Sequence, residues 1–495
     1  MLSNIRDTVK HSAIISLGKI GSKLVGFILL PIYTKEISVA GYGVLGLLEV
    51  AELIGVHILS IGMHQAMLRW HSLSRDESEK KSIVFSTFLF ISLLSMAVLL
   101  SILPARRVIA NYLFANPSYG DFLIYVLITI LFTNLARIPQ TLLRVEEKTV
   151  LFSVSIIVQF TMSLLLNIYF VAFRKMGVAG VLLAHAISSG ALFLVLTPYL
   201  FKRMSLRLNF PIIREMVNFG YPFILTALSA TVLNVGDRYI LTKMASLTEV
   251  GLYSLGYKFS NILKIFLVDS FSLGLPIIGW KIVREDKLPK RFFSKTLTYF
   301  IFMLLWVGLV LSSFAKGIIH LFALNRDYWD AYLVVPFLAS GVVFYGVQQF
   351  FYFILQIPKK TKFISIIITS AALVNVLLNV LLIPRYGMMA AAVVTVISHL
   401  FAALFAYFVS QKYYPGSYEI KRIGMLFLVS VALYFVTTLF DSYSLVMRIL
   451  LKGSVLLLFP VVLLPLKFYE EKELQGIKYY LSKIGRGMLK VVGLT

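Results

Sequence analysis

Apolar windows of about 20 residues, the length a helix needs to cross the hydrocarbon core of a bilayer, recur fourteen times along this 495-residue chain. With 59% of its residues hydrophobic and only 14% charged, the chain cannot hide that much apolar surface in a water-soluble core. The pattern predicts an all-α integral membrane protein with spans near 11–34, 41–63, 82–104, 119–139, 150–173, 177–201, 214–241, 249–276, 295–314, 331–356, 362–384, 387–410, 421–440 and 446–468. The first ten residues are polar, and the apolar run after them lacks a small-residue cleavage site, so it reads as a retained first span. An even number of spans puts both termini on one side. Roughly 30 Lys and Arg fall in the tails and even-numbered loops against roughly 10 in the odd-numbered loops, which predicts cytoplasmic termini. Beyond Lys467, Leu474, Ile477, Leu481, Ile484 and Met488 recur at helical spacing among basic residues, as in a helix lying on the membrane surface.

Lys and Arg number 47 against 23 Asp and Glu, for a net charge of +24 confined to the few polar stretches. That suits anionic lipid headgroups. Nucleic acid is discounted as a partner because the aromatics sit in or beside the apolar runs and not on a basic face. The chain has no cysteine, which removes disulfides, thiolate zinc sites and iron–sulfur clusters. It also lacks GxxxxGK[ST], HExxH and G-x-S-x-G, so neither ATP-driven transport nor these hydrolytic chemistries are expected, and no cofactor or metal is.

The chain repeats itself. At an offset of 208, Thr34-Lys35, Ser38 and Gly43 match Thr242-Lys243, Ser246 and Gly251; at 210 to 212, Leu166-Asn167, Gly177 and Ile187-Ser188 match Leu378-Asn379, Gly387 and Ile397-Ser398. This predicts two pseudo-symmetric six-helix bundles, 1–205 and 206–415, two further transmembrane helices at 416–468 and a cytoplasmic tail at 469–495. Transporters are often duplicated in this way, with the substrate between the repeats.

Ionisable groups inside spans are costly unless they face a wet cavity or a partner. Span 1 carries Lys19 and Lys23 on one face, and span 2 carries Glu49 and Glu52, which can pair with them. Asn234, Asp237 and Arg238 share one turn near the end of span 7. In span 8, Lys258, Asn261 and Asp269 line one side and Lys264 projects off it. The wet surface is therefore expected between spans 1, 2, 7 and 8. Lys19, Lys23, Arg238, Lys258 and Lys264 against Glu49, Glu52, Asp237 and Asp269 leave a slight positive excess suited to an anion such as pyrophosphate. The carboxylates either hold the lysines in the empty site or carry the protons or cations, sodium among them, that drive a cycle. His57, His185 and His399 read as structural, and Gln348 and Gln349 as candidates for a sugar route.

The segments His11-Ser12-Ala13, Leu29-Leu30-Pro31, Ala40-Gly41-Tyr42-Gly43, Gly236-Asp237-Arg238-Tyr239-Ile240-Leu241, Val250-Gly251-Leu252-Tyr253-Ser254 and Pro384-Arg385-Tyr386-Gly387 resemble bacterial polysaccharide flippases of the O-antigen and capsule type. These belong to the multidrug/oligosaccharidyl-lipid/polysaccharide exporter superfamily. The resemblance implies a bacterial inner-membrane protein, not an enzyme, that moves an undecaprenyl-pyrophosphate-linked oligosaccharide to the outer leaflet. It implies membrane lipids, a polymerase and a chain-length regulator as partners. It also implies contact of Lys19, Lys23 and Lys258 with the diphosphate, by position, as in the related lipid II flippases. Drug exporters of the superfamily commonly place an acid in span 1, where this chain has lysines. Polysaccharide polymerases usually carry a long outer loop, and none is predicted here.

Overall fold

The computed structural model describes residues 28–285, 289–471 and 473–475, and it is helical throughout its regular structure. In order, the helices are α1 (Leu30–Glu36), α2 (Val39–Ser60), α3 (Met63–Leu73), α4 (Glu77–Phe114), α5 (Gly120–Val145), α6 (Thr149–Asn167), α7 (Gly177–Phe201), α8 (Phe210–Val235), α9 (Asp237–Met244), α10 (Leu247–Leu263), α11 (Ser270–Glu285), α12 (Pro289–Phe322), α13 (Val335–Gln356), α14 (Lys362–Tyr413), α15 (Ile420–Thr438) and α16 (Leu445–Val462). Wider π turns come after α6 at Ile168–Phe173 and after α10 at Lys264–Asp269.

Twelve segments among the described residues are long and apolar enough to cross a membrane. One of them, α14, has 52 residues and a non-helical Gly387 inside it. At 1.5 Å per residue it measures roughly 78 Å, more than two hydrocarbon cores, so it is two crossings joined at Gly387, as the predicted spans 362–384 and 387–410 require. The predicted first span lies outside the described residues except for 28–34.

Positions matched in the sequence repeat share backbone features. Ser38 caps α2 by accepting from the Gly41 amide, and Ser246, 208 residues on, caps α10 by accepting from the Glu249 amide. Gly177 and Gly387, matched in the repeat, have φ of 55° and 54°, a conformation side chains disfavour. In the second copy, a Cβ on Gly387 would fall 2.0 Å from Glu249 Oε2, whose carboxylate accepts from the Met388 amide at 2.6 Å.

The chain falls into two units, one of residues 1–286 and 315–415, the other of 287–314 and 416–495. In the larger, α2 and α10 cross at matched positions. A Cβ on Gly43 would lie 2.1 Å from the Leu247 carbonyl oxygen, and one on Gly251 would lie 2.1 Å from that of Val39. Both pairs are 208 residues apart in the same sense, so the contact is the reciprocal one a two-fold relation between the copies generates. An apolar core of Tyr42, Tyr253 and Tyr328 surrounds this crossing. Near the other end of α2, Gly62 meets Gly220 of α8, with a Cβ on Gly220 falling 2.1 Å from the Ile61 carbonyl oxygen. A second core there joins Met63 and Met67 of α3 to Ile212 and Met216 of α8.

The smaller unit is fastened by polar contacts, as expected where lipid tails remove the hydrophobic drive for helix association. Lys452 of α16, 3% exposed, donates to the Ser313 carbonyl at 2.6 Å and to Asp441 at 2.7 Å. Lys295 of α12 bridges Glu419 at 2.8 Å, Glu473 at 3.0 Å and Glu470, while Arg422 of α15 holds Glu419 at 2.7 Å and Glu473 at 2.9 Å. Partial burial pushes the Glu473 carboxyl up, but the Glu470 amide, Lys295, Tyr299 and Arg422 outweigh it and bring it down to about 2. A carboxyl lowered from about 4.3 when unfolded stabilises the fold above that value and loses the effect as pH falls toward 2. The hydrogen-exchange protection of the segment 467–475, taken relative to the intrinsic rate at each pH, is therefore expected to stay constant from neutrality to about pH 5 and to fall between roughly 4.3 and 2.

The helix crossing gives a second prediction. Gly251→Ala drives a methyl into a backbone oxygen and should destabilise by about 3 kcal/mol, the upper end of ordinary overpacking. Gly424→Ala, with nothing within 4 Å of its added Cβ, should not lower the thermal unfolding midpoint in detergent.

Candidate functional site

Between the two glycine contacts, roughly 28 Å apart along α2, lies a cavity of about 500 Å³. Its walls come from Glu49, Leu53 and His57 of α2, from Ala227, Thr231 and Asn234 of α8, from Arg238, and from Tyr257, Lys258, Asn261 and Lys264. Among the described residues, three cations face one carboxylate.

The lysines rest on aromatic faces. Lys258 Nζ lies 4.9 Å from the Tyr42 ring centroid and 5.7 Å from that of Tyr33, with Glu49 Oε1 at 3.8 Å. Coulomb attraction at that separation is on the order of 4 kcal/mol at an effective dielectric near 20, and the partial exposure of both side chains reduces it. The pair is thus held in place but not locked. Lys264 donates to Asn234 Oδ1 at 3.3 Å and sits 4.4 Å from the Tyr345 ring. Arg238, 5% exposed, donates from Nη1 to the Gly46 carbonyl at 3.4 Å and lies 5.0 Å from the Tyr257 ring.

Several expectations are corrected. Lys264 lines the cavity and does not project away from it, because it is three residues beyond Asn261 and shares its side of the helix. The π turn that starts at Lys264 widens the helix, so three α turns do not connect Lys258 to Asp269, and Asp269 is not among the cavity-lining residues. Glu52 diverges from Glu49 and faces α7, with the His185 Nδ1 3.9 Å away. Span 7 continues through Gly236, whose backbone stays helical, and Asp237 is not among the cavity-lining residues but turns into the second bundle. There it accepts from Tyr253 and, at 3.3 Å, from Thr395. Its Oδ1 and the Oδ1 of Asn379 are buried without a partner among the described residues. Gln348 is buried against His399 and Tyr352, off the cavity. Lys19 and Lys23 lie outside the described residues.

Sequence reasoning missed the tyrosines that seat the cations and the lining role of His57. Aromatic residues are too frequent in these spans for position alone to mark them. A side pocket of about 20 Å³, room for about one water, adjoins the cavity at Asn234 and Lys264 and reaches Thr395, the partner of Asp237.

A polytopic helical protein with a sequence repeat and a charged cavity between helices at matched positions has the build of a membrane transporter. Its fold is that of lipid flippases and multidrug exporters. The structure of "Lipid II flippase MurJ, inward closed conformation" superposes with a TM-score of 0.75 at 18% identity, covering 91% of this chain and 98% of that one. The Vibrio cholerae MATE transporter VcmN in its bent form gives 0.57 at 15%, covering 83% and 97%, and the MATE multidrug transporter DinF-BH gives 0.61 at 16%, covering 82% and 95%. No curated protein matches the sequence. Residues 8–280, more than half of the chain, match the family described as "Polysaccharide biosynthesis protein", and the chain belongs to that family.

A Cβ on Gly46 lies 3.4 Å from that of Ser254, at the lower edge of the range disulfides span. In a chain without cysteine, Gly46→Cys with Ser254→Cys is expected to form one internal disulfide on oxidation, read by mass and by a raised unfolding midpoint; failure to cross-link would contradict the α2–α10 crossing.

Proposed function

We propose that the protein is a flippase that carries an undecaprenyl-pyrophosphate-linked oligosaccharide from the cytoplasmic to the outer leaflet of the bacterial inner membrane, for surface polysaccharide synthesis. The observation that carries this reading is the cavity in which, among the described residues, Arg238, Lys258 and Lys264 face the single carboxylate of Glu49. A pyrophosphate brings more negative charge than Glu49 does, and it accepts charge-assisted bonds that a ring face cannot offer. The cations are weakly enough held to turn to it.

The repeat extends the site. At the offset of 208, Lys19 and Lys23 match Ala227 and Thr231, both of which line the cavity. That supports counting the two lysines with the head-group ligands. A cavity with excess positive charge disfavours the cations that multidrug exporters carry. Asp237, with an oxygen unpartnered among the described residues and a water-sized pocket reaching its partner Thr395, is the group best placed to bind the driving proton or sodium ion. In this reading both termini are cytoplasmic, and the polymerase and chain-length regulator of the pathway act downstream.

Cells whose only copy carries Lys23→Gln with Lys258→Gln are expected to accumulate lipid-linked repeat units on the cytoplasmic leaflet, shown by lectin accessibility in oriented vesicles, with the protein still inserted. Normal outward delivery in that double variant would overturn the reading. Outward delivery of single units with loss of polymer alone would identify a polymerase instead.

A further inference from the structure

We propose that Arg238 is an anion-released latch: a pyrophosphate in the cavity draws its guanidinium off the Gly46 carbonyl and so frees the α2–α10 crossing to open. The inference rests on the flippase reading for its ligand, but it concerns how occupancy is communicated to one end of the cavity.

Arg238 belongs to both places at once. It lines the cavity, and its Nη1 bond ends on Gly46 of α2. Gly46 lies one turn beyond the Gly43–Gly251 contact and faces its own repeat match, Ser254, so this bond ties the second copy to the first at the crossing. The bond is long, at 3.4 Å, and its acceptor is neutral. The guanidinium's other close contact is a ring face, that of Tyr257, and Nε is buried without a partner among the described residues. A buried cation satisfied this poorly is primed for a better acceptor. A phosphate offers two parallel, shorter, charge-assisted bonds, so it outcompetes one backbone carbonyl.

With the latch drawn off, the crossing keeps the Lys258–Glu49 pair at 3.8 Å, for which the anion also competes in the cavity, and peripheral ties between the copies. Tyr328 donates to the Ile37 carbonyl at 2.9 Å, Thr34 bonds the Phe322 carbonyl at 3.3 Å, and Lys243 donates to the Tyr112 carbonyl. None of these touches the cavity. When the head group leaves, the Gly46 carbonyl is again the best acceptor available and the end closes.

The test uses the full chain in lipid nanodiscs with Tyr112→Cys and Lys243→Cys, joined across the crossing by a short bis-maleimide. The probes are undecaprenyl pyrophosphate and, as the uncharged control, undecaprenol, with native mass spectrometry on the same samples to report binding. Undecaprenyl pyrophosphate is expected to lower the cross-linking yield severalfold, and undecaprenol to leave it unchanged. In Arg238→Gln the yield should no longer respond to the pyrophosphate, and Arg238→Lys, which keeps the charge without the fork, should respond less. Equal responses in Arg238 and Arg238→Gln, or no response although the lipid binds, would overturn the latch alone. No binding of the pyrophosphate lipid to the unaltered protein would overturn the flippase reading beneath it.

Discussion

The contact of Gly43 with Gly251 is the constraint on which the rest of the larger unit depends. Lipid supplies no hydrophobic force to bring two helices together, so close approach has to come from surfaces without side chains. Here each missing Cβ leaves room for a carbonyl oxygen of the other helix. Two helices that touch backbone to backbone at one point separate away from it unless they are parallel. The separation beyond this crossing is filled from α2 by Glu49 and Leu53 and from α10 by Lys258 and Asn261, which become cavity walls. The Gly62–Gly220 contact ends the gap on the far side.

A cavity of this kind has to keep its cations charged without cancelling them. Carboxylates at hydrogen-bond distance would satisfy Lys258 and Lys264 but would also occupy them. The chain instead sets the ammonium groups against Tyr42, Tyr33 and Tyr345, whose ring faces attract a cation by roughly 1 to 2 kcal/mol when water is excluded. An anionic guest can then take the open side of each ammonium. The smaller unit shows the opposite solution. There Lys452 and Lys295 are tied by short bonds to Asp441, Glu419 and Glu473, and those lysines serve to hold helices together.

The fold was legible because its signals are repeated and long. Span-length apolar runs, the 208-residue repeat and the pairing of Gly177 with Gly387 all survive small errors of register. The site was legible only where the helices stay regular. Lys258 and Asn261 lie on the predicted face because α10 is an ordinary helix as far as Leu263. Asp269 does not, because a π turn rotates the residues at its far end, and nothing in Lys264–Asp269 announces it. Asp237 and Arg238 are sequence neighbours and so point about 100° apart around the helix, one into the bundle and the other onto the cavity wall. Local spacing fixes relative directions along an unbroken helix and no further.

The copies share backbone features at matched positions and disagree in charge, at the cavity as elsewhere. Arg238, Lys258 and Lys264 are matched in the first copy by Leu30, Val50 and Val56, while Glu49 is matched in the second by Tyr257. The reciprocal crossing and the shared serine caps fall at matched positions. The charges do not, and a strictly symmetric cavity would present each charge twice and repel at its own axis. Tyr257 shows what the asymmetry achieves. It stands where a second glutamate would stand if the copies were identical, and in place of an ion pair it offers Arg238 a ring face. The guanidinium is therefore seated on a ring face and a backbone carbonyl at the junction of the two halves.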